Sequence, residues 1–294
     1  YFRSAEDYHF HNGPVTVQSG ISLRSRKLQA MPLRKESSQK HEHNATLFDI
    51  IKMREGKGPN PWKVVNWADT ISTDDQPIFN CEWTTFISTS GKHMGICDGT
   101  DKYTMSSCPD GEHLAKMWHQ GKDKVSSYFM EIGSQRGACI LDMLLDTDAR
   151  IIAFEGHPKN VYSITKTISA LPQALQDRVV LFPISLADAS MQKQIGHHSK
   201  SELPQEAKLS IYAERLDSIL DMDRIKQTSK IRLVNLNVQG YDCKILEGIG
   251  KYMAGKVDAM KLERESFYQK CGGSKNYIAK LRNELGFDVL ISSL

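Results

Sequence analysis

The sequence predicts an α/β protein with a doubly wound, mostly parallel sheet. Three observations carry that reading. Short apolar runs of strand length recur at residues 128–132, 151–154, 179–184, 231–238, 257–262 and 287–291. Stretches with helical apolar spacing alternate with them, as they do in a sheet wound with helices on both faces. Glycine turns follow two of the runs, at Gly133 to Gly137 and at Gly240, and polar residues tip several: Glu131, Glu155, Asn237 and Glu263. In such a sheet the ligand lies beyond the carboxyl ends of the strands.

The central stretch is SYFMEIGSQRGACILDMLLDTDARIIAFE, Ser127 to Glu155. Tyr128, Phe129, Met130 and Ile132 suit a strand buried on both faces. Gly133 and Gly137 bracket a tight turn in which absent side chains let a ligand approach the backbone. Ala138, Ile140, Leu141, Leu144 and Leu145 give a helix, and Ile151 to Phe154 a second strand. Downstream, Val161, Ile164, Ile168 and Leu171 predict a helix, and the polar stretch Gln192 to Lys208 a loop. A helix is expected to begin at Ala213, another to run through Ile245 and Ile249, and a last one to span Asn276 to Leu285.

Three regions precede or contain this pattern. Residues 1–58 read as a polar tail or linker, expected to be flexible, with the basic cluster Arg24, Arg26, Lys27, Arg34 and Lys35 on a solvated stretch. Residues 59–121 read as a small cap module holding all four tryptophans, Trp62, Trp67, Trp83 and Trp118. Within it, Trp83 to Ser88 and His93 to Cys97 predict a hairpin, and Asp110 caps a helix ending at Gly121. Residues 122–294 form the α/β domain.

Composition narrows the classes. A net charge of +3 is too small for a nucleic-acid footprint, and no apolar run is long enough to cross a bilayer. The chain begins at Tyr1 rather than Met, as a processed chain or a fragment would, so an upstream signal or anchor is compatible with it. The six cysteines include no C-x-x-C pair, which argues against a structural zinc site, and no metal is expected. Cys139 and Cys243 fall on expected helices and read as buried thiols. In a secretory chain, two of Cys81, Cys97 and Cys108 should be bridged. Asn44-Ala45-Thr46 is a glycosylation sequon with meaning only in that compartment. The compartment stays open between secretory pathway and cytoplasm, as does the oligomeric state.

The turn after the first central strand carries the chemistry. A dinucleotide fingerprint needs G-x-G-x-x-G to bring backbone amides to a pyrophosphate. Here the pattern is E-x-G-x-x-x-G, one glycine short, with an acid that would repel phosphate. It suits a cationic nucleoside ligand, and S-adenosylmethionine has a sulfonium, an ammonium and no phosphate. Glu155, after the second strand, can accept from both ribose hydroxyls. The plain alternative is an ordinary strand-turn-helix.

From about Ser127 onward the sequence resembles the FkbM-type methyltransferases, on the segments EIGSQRG, AFEGHPKN, ERLDSIL, LVNLNVQGYDCKILEGI and MKLERE in that order. The resemblance implies a Rossmann-like class I methyltransferase fold, S-adenosyl-L-methionine as cofactor, and O-methylation of a sugar or other small hydroxylated acceptor. It implies that Glu131, Gly133, Ser134, Gln135 and Gly137 line the methionine and ribose side. Glu155 takes the ribose, His157 lies near the adenosine, and Ser185, Leu186 and Asp188 approach the adenine. Asn237 and Gln239 face the sulfonium and the nucleophile. His157, Glu263 and Asp188 are the candidate bases. The sequence departs from the family where a lysine and an aspartate are replaced by Asn235 and Asn237, a glutamate by Asp242 and a proline by Gly156. An amide at 237 can position a nucleophile but takes no proton as a carboxylate does. These departures, and a sheet that stops after the first strand of the usual terminal hairpin, motivate a rival reading: a catalytically impaired cofactor-binding or interaction protein. A nicotinamide oxidoreductase is disfavoured by the missing third glycine.

Overall fold

A computed structural model of the chain describes residues 20–25, 81–98, 107–120, 128–188, 191–195, 209–219, 231–238, 242–249, 256–263, 279, 281–283 and 287–291. In chain order these form β1 (Gly20–Ser25), β2 (Glu82–Ile87), β3 (His93–Asp98), α1 (Gly111–Gln120), β4 (Tyr128–Ile132), α2 (Ala138–Asp146) and β5 (Arg150–Phe154). Next come α3 (Pro158–Ser169), α4 (Gln173–Gln176), β6 (Val179–Phe182), β7 (Ser185–Leu186), β8 (Met191–Ile195), β9 (Leu209–Glu214) and α5 (Leu216–Ile219). The chain continues through β10 (Ile231–Leu236), α6 (Asp242–Ile249), β11 (Val257–Glu263) and β12 (Phe287–Ile291).

The central sheet has seven strands in the order β12-β1-β11-β10-β4-β5-β6. Strands β11, β10, β4, β5 and β6 pair in parallel, in keeping with their largely apolar runs. Both faces are covered. On one, Met130, Ile132, Phe154, Val234 and Leu236 pack with Leu216, Ile219, Ile245 and Leu246 of α5 and α6. On the other, Phe129, Ile151, Ala153 and Leu233 pack with α1, α2, α3 and the hairpin residues Phe86 and Ile96. The doubly wound, mostly parallel sheet expected from the sequence is therefore the fold of the α/β region.

Four expectations need correction. Gly20–Ser25 is not tail: β1 lies antiparallel between β11 and β12 and bonds both. An antiparallel strand between β11 and β12 is thus supplied from the N-terminal side of the chain. Met191–Ile195, read as the start of a loop, pairs with β9 in a separate three-stranded sheet, β7-β9-β8. Ala213 lies in β9 rather than opening a helix, because Leu209, Ile211 and Ala213 alternate with Ser210, Tyr212 and Glu214 at the strand period, and helix begins only at Leu216. The cysteines on helices are not thiols. Cys108 is bridged to Cys139, with their Cα atoms 4.7 Å apart, and Cys243 is disulfide-bonded too. Cys81 and Cys97 are bridged across the hairpin, so the expected bridge within the first three is present.

Among the described residues no helix is long and apolar enough to cross a membrane, and no cluster of side chains could hold a metal ion. The last expected helix, Asn276 to Leu285, and the segment with Trp62, Trp67 and the sequon lie largely or wholly outside the described residues.

Candidate active site

The strand order reverses at β4: the chain moves from β4 out through β5 and β6, then returns to β10 on the other side of β4. Open α/β sheets bind ligands at such a switch point. Here the ends of β4, β5 and β10 are laced together. The Phe154 carbonyl accepts from the Gly133 and Ser134 N–H groups at 3.0 and 3.2 Å and from the Ser134 hydroxyl at 3.3 Å. The Asn237 N–H donates to the Ile132 carbonyl at 3.0 Å.

Within the turn, Gly133, Gln135 and Gly137 all have left-handed backbones, with φ of 82°, 49° and 89°. At Gly133 there is a second reason for glycine. A Cβ there would lie 2.2 Å from the Asn237 carbonyl oxygen, so any side chain would push β10's end away from the turn. Gln135 adopts its conformation without glycine's freedom, at a cost of about 1–2 kcal/mol. Its N–H donates to Glu155 Oε2 at 2.7 Å, which offsets that cost.

Glu155 is the hub of this loop cluster. It is 7% exposed, and its Oε1 accepts from the His157 N–H at 2.8 Å. Burial pushes its carboxyl above the ordinary range. Bonds from the His157 and Gln135 N–H groups, the Asn160 side chain and the Gly156 N–H pull it back. It joins the β4–α2 turn to the start of α3, where His157 precedes Pro158 at the first helical position. Gly156 lets the next strand end approach, since a Cβ there would meet the Ser185 hydroxyl at 1.9 Å. Leu186 is buried, and the Asp188 backbone carbonyl accepts from Arg215 at 2.9 Å.

Glu131 is placed differently from expectation. It is 2% exposed and lies beneath the turn, with both carboxyl oxygens 3.0 and 3.1 Å from Asn235 Nδ2. Register puts Glu131, Asn235 and Lys261 side by side on β4, β10 and β11. Lys261 is itself buried and donates to Asp110 Oδ2 at 2.6 Å, just before α1. Burial pushes Glu131 up to about 8, against the opposing pulls of the Asn235 bond and the Lys261 charge. Asn235, where the resemblance expects lysine, is thus the partner of a largely neutral acid, and the buried lysine stands one strand over. His113 on α1 feels the same Lys261 charge, and burial and that charge both lower its pKa.

The structure therefore brings Gly133, Ser134, Gln135, Glu155, His157 and Asn237 to one strand-end cluster, with Ser185 against Gly156. It sets Glu131 below that cluster. Gln239 lies outside the described residues, and Glu263 closes β11 with its side chain outside the description. Sequence reasoning missed two supports. Arg136 pairs with Asp98 and ties the turn to the hairpin, and Lys261 pairs with Asp110. A lysine inside the apolar run of β11 was the available signal for a buried partner.

No family model matches the chain, and no curated protein matches it. Solved structures do. One is Pyrococcus horikoshii TYW2 in complex with MeSAdo, at 14% identity over 36% of this chain and 37% of that one, with a TM-score of 0.27. Another is the glycopeptide N-methyltransferase MtfA complexed with S-adenosyl-L-methionine, at 13% identity over 53% of this chain and 49% of that one, TM-score 0.27. The chain thus spans between about a third and a half of these structures, a likeness too distant to assign an activity.

Proposed function

We propose that the chain is an S-adenosylmethionine-dependent methyltransferase of FkbM type that methylates a hydroxyl of a sugar or small hydroxylated metabolite. The observation that carries this reading is the left-handed turn Gly133–Gly137, stapled by Gln135 to Glu155 at the topological switch point. The residues fit an adenosine cofactor without a pyrophosphate. Gly133 leaves a cradle with no room for a Cβ, so the turn can meet a ligand only through its backbone. Glu155 closes the cluster as its acceptor, with Gln135 N–H on Oε2 and His157 N–H on Oε1, at the strand end where a ribose would sit.

The cofactor supplies a methyl carbon already activated by the sulfonium, open to in-line attack by an acceptor oxygen. The protein's part is alignment, which can contribute roughly 7–11 kcal/mol. In this reading the turn holds the methionine end, Glu155 and His157 the ribose and adenosine, and Ser185, Leu186 and Asp188 the adenine side. Asn237 aligns the acceptor hydroxyl, whose proton passes to His157, Asp188 or Glu263. Glu131 supports the floor through Asn235 rather than touching the cofactor.

Calorimetry with S-adenosylmethionine, S-adenosylhomocysteine and NAD tests the reading. The first two should bind and NAD should not. Glu155→Ala should weaken cofactor binding by about 1.5–3 kcal/mol, the scale of charge-assisted bonds. Binding of NAD alone would sink the proposal. Cofactor binding without turnover across an acceptor panel would favour the impaired reading that Asn237 motivates.

A further inference from the structure

We propose that the Cys108–Cys139 disulfide is a redox clamp on the Gly133–Gly137 turn: joined, it holds the turn in its left-handed shape; opened, it releases the turn while the sheet stays folded. The clamp rests on the reading above only in taking this turn for the cofactor site. Cys139 is the second residue of α2, and Gly137 precedes that helix as its N-cap. This helix start lacks the usual supports. Gly137 makes no side-chain bond to the free N–H groups, and no acidic residue stands in the first turn to face the helix dipole. The turn leading into it holds three left-handed residues, one of them Gln135 rather than glycine. A covalent tie stands where a cap would.

The far end of the tie is fixed. The Cys108 carbonyl accepts from the Gly111 N–H at 3.2 Å where α1 begins, and Asp110 beside it holds Lys261 of β11. The later turns of α2 are anchored by other means. Asp142 accepts from the Thr89 N–H and hydroxyl, both at 2.7 Å, and Asp146 accepts from the Ser88 hydroxyl and the Ser90 N–H. Opening the disulfide therefore frees the first turn of α2 and the glycine turn before it, not the whole helix. The Arg136–Asp98 and Gln135–Glu155 contacts must then hold the strained turn without it. Cys81, Cys97, Cys108, Cys139 and Cys243 are all disulfide-bonded, the pattern of a chain matured in oxidising surroundings. The reductant must come from outside. A glutathione thiolate attacks one sulfur of the pair, forming a mixed disulfide and releasing the other cysteine as a thiolate. A second glutathione displaces the first, leaving two cysteine thiols and glutathione disulfide. Closing is the reverse exchange, with glutathione disulfide as the two-electron oxidant. Cys108 and Cys139 are only 6% and 8% exposed, so attack waits on fraying of the uncapped helix start.

Equilibration of the full chain in glutathione buffers of graded ratio, with thiols trapped by alkylation and located by mass spectrometry, reads which pair opens at each step; amide exchange on the same samples reads the turn. Where Cys108 and Cys139 open, the Gln135 and Gly137 amides, bonded to Glu155 and to the Ser134 carbonyl, should exchange at least about tenfold faster. The amides of β4, β5 and β10 should keep their protection. Affinity for S-adenosylmethionine should fall about tenfold in the same step, as for a turn closed in one chain of ten. Cys108→Ser with Cys139→Ser should show fast turn exchange in every buffer; if that variant does not fold, the wild-type titration decides. A turn that stays protected once the pair is open, or strand amides that lose protection in the same step, overturns the proposal. A turn that responds in this way in a chain that binds no S-adenosylmethionine in either state bears out the clamp and removes the cofactor reading.

Discussion

Replacing Glu131 by glutamine should make the fold less sensitive to pH, and the structure gives the size. Burial holds this carboxyl at about 8 in the folded chain. In the unfolded chain it titrates near the ordinary glutamate value of about 4.3. Between those values the folded state keeps a proton that the unfolded state has released. The stability this contributes is whole below about pH 4.3 and is lost as the pH rises through about 8. The slope is about 1.4 kcal/mol per pH unit, on the order of 4–5 kcal/mol across the window. At roughly 2–4 °C per kcal/mol, the wild type should lose about 10–15 °C of melting temperature from this group between pH 4.5 and 8.

Glutamine is the neutral isostere, and the site can take it. Asn235 Oδ1 is buried and has no hydrogen-bond partner among the described residues, so a turned Asn235 amide can accept from the new side-chain NH2. Thermal melts of both proteins at half-unit steps from pH 5 to 8.5 give the measurement. Their difference cancels the other shifted groups, among them Glu155 and Asp142, raised mainly by burial, and His113, lowered mainly by burial. The glutamine variant should overtake the wild type as pH approaches 8. Parallel curves would mean that Glu131 is ionised throughout, with Lys261 as its counter-ion, and would refute the assignment of a neutral acid.

Other outcomes follow from the same geometry. Gly133→Ala forces a Cβ to 2.2 Å from the Asn237 carbonyl at a φ of 82°, and should cost about 1–3 kcal/mol in a melt while abolishing cofactor binding by calorimetry. Asn237→Ala should lower single-turnover methyl transfer more than cofactor affinity; a fall in melting temperature with unchanged turnover would remove Asn237 from the site. Cys108→Ser with Cys139→Ser opens a link between residues 31 apart and should cost about 3–4 kcal/mol, seen as a lower melting temperature under non-reducing conditions.

Legibility in the sequence followed burial. Strands β4, β5, β10 and β11 announce themselves because both their faces are covered, which leaves mostly apolar runs. The turn was readable because E-x-G-x-x-x-G concentrates its constraint in two glycines, both of which are left-handed. β1 was not, since GISLRS carries only two large apolar residues within a polar stretch and is a strand by virtue of its neighbours. β8 was hidden for the same reason, with polar residues at three of its five positions. Glu131 misled because a carboxylate near a strand end reads as facing the ligand, whereas strand alternation turns it to the face shared with Phe129, under the turn. The disulfide partners could not be read, because spacing alone does not fix connectivity.

The expected boundary near residue 121 separates nothing physically. α1 and the β2–β3 hairpin share one apolar cluster with α2, α3 and the sheet, in which Phe86, Ile96, Leu114 and Trp118 meet Phe129, Ile140 and Ile164. The Arg232 guanidinium at the start of β10 lies 4.6 Å from the Trp118 ring centroid, and the Trp118 indole N–H donates to Asp148. Three further links converge on the candidate site from this supposed cap: Arg136 with Asp98, Cys108 with Cys139 and Asp110 with Lys261. Each grips a position in or just behind the turn, or in the buried row beneath it. Removing the hairpin and α1 would therefore strip Arg136, Lys261 and the first turn of α2 of their fixed partners, leaving Lys261 as a buried charge without its counter-ion. Breaking such a pair costs about 3–5 kcal/mol, a large fraction of a domain's whole stability. The hairpin and α1 are part of what holds the Gly133–Gly137 turn in its left-handed shape, so a chain cut at the expected boundary should lose the candidate site along with the cap.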